Sequence, residues 1–225
     1  MSAPTLLAAV HGLLTRTYAL TARLDAIERY VIGDAGLARL YDGRPGTAVG
    51  SATGEGARLL LREEGGALRA TVYFPDALIA HLEERPPQRG LDDRNVDAFA
   101  VFVEEIDHLL VAAERADAGR GVSLLELELH ANVSKYLVLA RFLAGRAKRL
   151  GPARRAWLMH QLFEKPQYSD PDPEVRERYV AAGRNAARFL MTLERLSPQA
   201  RIDRLRRFHR QDLSGKLAMG AGASA

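Results

Sequence analysis

The sequence contains no cysteine. That excludes a disulfide framework and thiolate metal sites, and it fits a reducing compartment. No apolar run approaches the roughly 18 residues of a membrane-spanning helix. The N-terminal residues lack a basic segment followed by an apolar run and a small-residue cleavage site. Together these absences predict a cytoplasmic protein with no membrane association. Also missing are Gly-Lys-Ser/Thr, Gly-x-Gly-x-x-Gly after a strand, Gly-x-Ser-x-Gly, Ser-x-x-Lys and His-Glu-x-x-His. That leaves no phosphate-binding loop, nucleophile elbow or zinc-protease helix to build on. The glycine-rich stretch from Asp42 to Gly56 therefore reads as a flexible connection. Lysine is scarce, 4 residues against 28 arginines.

What is present is an ordinary apolar share, 47% of 225 residues, enough for one domain with a core. Charge is unevenly placed. Residues 1–140 carry 14 Lys/Arg against 20 Asp/Glu, and residues 141–225 carry 18 against 8. Such asymmetry points to an acidic partner for the C-terminal part.

The stretch from Asn95 to Arg149 predicts two long helices joined at Ala118-Gly-Arg-Gly121. At about 100° per residue, Phe99, Phe102, Val103, Ile106, Leu109 and Leu110 share one face of the first, and Glu104 and His108 lie on the opposite line. Ser123-Leu-Leu-Glu126 fits a capping box at the start of the second. That helix is apolar on two sides, which predicts neighbours on both flanks.

Along the rest of the chain, Thr5 to Val31 repeats a 4-3 apolar stripe and reads as one bundle helix. Ala35 to Tyr41 follows as a short helix. Arg58 to Phe74 alternates around Glu64-Gly-Gly66 as a β-hairpin. A lone hairpin is marginal in water, so it must lie on helices of its own chain or pair with a second copy. Asp76–Glu84, Gly151-Pro152 onward, Asp172-Pro173 onward and Ser197-Pro198 onward open further helices. The fold class expected is mainly α, a bundle of six or seven helices built on a central antiparallel helical hairpin with one small β-hairpin. Residues 1–213 form a single domain, and 214–225 read as a disordered tail.

Two functional readings follow. The first is non-catalytic: a cytoplasmic helical adaptor or regulatory protein, forming a homo-oligomer and needing no cofactor. Its basic C-terminal helices, carrying Arg184, Arg188, Arg195, Arg201, Arg204, Arg207 and Arg210, would dock on an acidic protein or on nucleic acid. The second is a metal-binding helical bundle or metal-dependent enzyme. In an antiparallel hairpin turning near residue 120, residues whose numbers sum to about 240 stand level. That brings Glu105 and His108 within a turn or two of Glu128 and His130, ligands suited to Fe, Mn or Zn. Carboxylate-bridged di-metal bundles use two Glu-x-x-His pairs, whereas only Glu105-x-x-His108 occurs here. By the same register Lys135 stands near Glu104 and Glu105, where a buried Glu–Lys link would fix the pairing of the helices.

Overall fold

A computed structural model describes residues 4–22, 24, 26–41, 47–49, 56–65, 67–147, 150–165 and 171–221. Its centre is the expected helical hairpin, α4 (Val96–Asp117) and α5 (Leu124–Ala144). The turn between them uses Gly119 at a φ of 62°, a conformation that strains any side chain with a Cβ. Ser123 begins α5 as its cap, accepting from the Glu126 amide at 3.2 Å. The reciprocal half of the capping box is replaced. The Glu126 side chain points inward instead, onto Arg115 and Lys216.

Helix α5 has neighbours on both flanks, α4 on one and α7 (Pro173–Leu193) on the other. Phe99, Val103, Ile106 and Leu109 of α4, Leu129 and Val133 of α5, and Ala186 and Phe189 of α7 are all buried in one continuous core. Around it lie α1 (Leu6–Tyr18), α2 (Asp34–Tyr41), α3 (Asp76–Glu84), α6 (Pro152–Met159), α8 (Pro198–Arg210) and α9 (Leu213–Ala221). Proline at the first turn opens α6, α7 and α8, and the Asp172 and Ser197 side chains cap the last two. No described helix is long and apolar enough to cross a membrane.

Four expectations need correction. The first helix stops at Tyr18 rather than Val31. Ala19 and Ala26 adopt left-handed backbone conformations, and the Glu114 carboxylate accepts from the Thr21 and Ala22 amides, so a tertiary contact turns the chain where the apolar stripe continues. The hairpin is the middle of a larger sheet. Strands β3 (Arg58–Glu64) and β4 (Ala67–Tyr73) pair antiparallel, β1 (Val31–Ile32) adds parallel to β4, and β2 (Thr47–Val49) adds antiparallel to β3. Part of the glycine-rich connection is therefore strand; residues 42–46 and 50–55 lie outside the described residues. The sheet rests on α4, where the Phe74 and Phe102 rings stack 4.7 Å apart. Leu59, Val72 and Phe74, at the base of the hairpin's apolar face, are thus covered by the chain itself, while Leu68 near its tip is exposed. The helices number nine among the described residues rather than six or seven. Finally, 213–221 is a helix rather than part of a disordered tail. It packs on α7 and α8, and its Lys216 is 1% exposed. Residues 222–225 lie outside the described residues.

Candidate metal centre

The α4–α5 hairpin carries ionisable groups on two sides. On one, α4 supplies Glu104, Glu105 and His108, and α5 supplies Glu128 and Lys135. Glu104 and His108 are one turn apart on the same line of α4, and the antiparallel register brings Glu128 within one to two turns of them. Glu104, His108 and Glu128 each offer one ligand atom, all within 4.8 Å of one another. His108 presents Nε2 to Glu128 Oε2 at 4.0 Å and Nδ1 to Glu105 Oε2 at 3.6 Å, both longer than hydrogen bonds. The Lys135 ammonium donates to Glu104 Oε2 at 2.8 Å, the inter-helix link expected from the register.

Burial divides the cluster. His108, Glu105 and Glu128 have side chains 2%, 6% and 5% exposed, while Lys135 and Glu104 reach 13% and 17%. The solvent side is therefore the Lys135–Glu104 edge. Burial raises Glu128 to about 8, and the Glu104 charge adds to the effect against His108 and Lys135. Burial also raises Glu105, which His108 partly opposes. For Glu104 burial acts upward, but Lys135 and His108 outweigh it and hold the carboxyl below its usual value. Burial opposes a charged His108, yet Glu105, Glu128 and Glu104 together raise it to about 10.

Both ring nitrogens of His108, Glu105 Oε2 and Glu128 Oε2 are buried with no hydrogen-bond partner. Buried polar atoms are nearly always paired, and each orphan costs about 1–3 kcal/mol. Four of them converge in one cluster, where His108 stands within ion-pair distance of Glu105 and Glu128. Carboxylate oxygens with an imidazole nitrogen are the donor set of Mn, Fe or Zn rather than of soft, thiolate-bound ions. Ligand bonds of about 2.0–2.2 Å place two donors on one ion no more than about 4.4 Å apart. The cluster, with its ligand atoms within 4.8 Å of one another, is slightly wider than that. Glu105, on the Nδ1 side of His108, is placed to accept its ring proton and leave Nε2 for the ion, as carboxylates commonly do behind metal-bound histidines.

His130, expected as a ligand, lies elsewhere. It is two residues from Glu128, about 200° around α5, so the two side chains leave the helix on opposite sides. There its Nδ1 meets Asp107 Oδ2 at 2.8 Å and its Nε2 meets His209 Nδ1 at 3.0 Å. Ser134 donates to Asp107 Oδ1 at 2.6 Å and pairs with the Tyr18 hydroxyl at 2.8 Å. His209 Nε2 stands 3.8 Å from Glu114 Oε2. Beside this chain of contacts, Arg115 and Lys216 share Glu126 and also donate to the Gln211 carbonyl at the end of α8. Asp107, Ser134, His209 and Lys216 were not singled out in the sequence. Asp107 lies at the border between the apolar and polar faces of α4 and gave no distinct signal. The fully buried Ser134 offers no exposed nucleophile, and these groups hold α1, α8 and α9 to the hairpin.

The seven C-terminal arginines do not act as one set. Arg201 donates to the Leu196 and Glu194 carbonyls, and Arg204 to Thr192 Oγ1 and the Met219 carbonyl, so both join helices within the chain. Arg184, Arg188, Arg195, Arg207 and Arg210 are exposed. No family model, curated protein or solved structure matches the chain.

Proposed function

We propose that the protein binds one transition-metal ion between α4 and α5, through Glu104, His108 and Glu128, with Glu105 orienting His108. The observation that carries this reading is the set of buried atoms without hydrogen bonds on His108, Glu105 and Glu128, with ligand atoms of Glu104, His108 and Glu128 within 4.8 Å of one another. It modifies the ligand set expected from the sequence: Glu104 enters as ligand, Glu105 moves behind His108, and His130 leaves. An ion held by three protein groups retains positions for water or substrate, as catalytic sites do and closed structural sites do not. It would act there as a Lewis acid and lower the pKa of bound water. The adaptor reading, with docking on an acidic protein or nucleic acid, loses Arg201 and Arg204 to internal contacts and rests on the charge of Arg184, Arg188, Arg195, Arg207 and Arg210 alone.

Metal content of protein purified without a histidine tag tests the proposal. One Mn, Fe or Zn per chain is expected, lost in His108→Ala and in the near-isosteric Glu128→Gln. Free metal at 100 times its Kd should stabilise the wild type by about 2.7 kcal/mol and leave His108→Ala unmoved. Trace metal independent of both substitutions would remove the reading.

A further inference from the structure

The charge of the cluster bears on which ion it takes, an inference that rests on the metal-binding reading above. Glu104, Glu105 and Glu128 contribute three negative charges when a metal is bound. A coordinating His108 is neutral. Lys135, held against Glu104, returns one positive charge. The shell therefore totals −2 and is neutralised by one divalent ion. In a site this enclosed a residual charge is poorly screened, so an unmatched ion is held less well.

Lys135 occupies a second telling position. Its ammonium donates to Glu104 Oε2 at 2.8 Å, so that oxygen is already engaged by a cation and is not free to bridge to a second ion. We propose that Lys135 is the valence-selecting residue of the centre, limiting it to a single divalent ion and disfavouring both a trivalent ion and a second metal.

Calorimetric titration of the full chain, tag-free and stripped with chelator, decides the matter, with MnCl2 and TbCl3 as probes. Both ions prefer oxygen donors, and they differ in charge. Wild type should take up one Mn2+. In Lys135→Gln the ratio of Mn2+ to Tb3+ affinity should fall by about tenfold or more, because the shell moves to −3. Lys135→Arg, which keeps the charge, should leave the ratio near that of wild type. Thermal melts of the three proteins verify that all are folded. The same ratio in Lys135→Gln as in wild type, with Mn2+ binding still lost in His108→Ala, would overturn valence selection alone. Wild type that binds neither ion would overturn the metal-binding reading and this proposal with it.

Discussion

Replacing Glu126 with alanine is expected to destabilise the protein by about 3–5 kcal/mol, the largest single-residue effect outside the apolar core. Glu126 is 4% exposed and is the carboxylate shared by Arg115 and Lys216, themselves 7% and 1% exposed. Truncation leaves two buried cations facing each other without the carboxylate they share. Both also donate to the Gln211 carbonyl where α8 ends, so the loss propagates to the seating of α8 and α9 on the hairpin. Denaturant unfolding measures the effect, and amide exchange should show α8 and α9 losing protection before α4 and α5. Glu126→Gln, which keeps an acceptor but not the charge, should fall between alanine and wild type. A loss below about 1 kcal/mol for Glu126→Ala would mean that the two cations are already solvated.

The second large effect is on pH dependence, through His209. Burial is the main cause that lowers this imidazole to about 2, and His130, Lys216, Arg115 and Arg210 add to it. Glu114, 3.8 Å from Nε2, and the Tyr18 ring stacked 5.3 Å away complete its surroundings. His209 is thus neutral in the fold but titrates near its ordinary value of about 6.5 once unfolded. Below that pH the unfolded chain binds a proton that the fold refuses, so stability is lost as pH falls, by about 1.4 kcal/mol per pH unit. Glu128, raised to about 8, has the opposite sign over the same range, which makes the useful quantity a difference between two proteins. From pH 6.5 to 5, wild type should lose about 1.6 kcal/mol more than His209→Gln. Parallel stability curves for the two would show that His209 is protonated in place.

Much of the fold was legible because the hairpin announces itself. The Gly119 turn sets the antiparallel register, and the register put Lys135 beside Glu104 and brought Glu128 within a turn or two of His108. The two apolar sides of α5 correctly required partners on both. What stayed hidden has a common physical cause: each feature depends on a contact from far along the chain. The stripe from Leu6 to Val31 has no mark of the turn at Ala19, which Glu114 imposes from α4. The Gly- and Ala-rich C-terminus reads as a tail until Lys216 is seen to complete the charge of Glu126. His130 looked like a ligand by its register against Glu105 and His108, whereas its direction around α5 commits it to Asp107 and His209. Glu104 was visible as a neighbour of His108. Its role as ligand emerges only with the distances, and with the partnerless nitrogens between Glu105 and Glu128.

The most direct test of the metal centre is pulsed electron paramagnetic resonance on the Mn2+-loaded protein, which detects nitrogen bonded to the ion. One coordinated nitrogen is expected in the wild type, absent from His108→Ala and retained in His130→Gln. A spectrum of hydrated Mn2+ with no nitrogen coupling, or a coupling that survives His108→Ala, would contradict the assignment.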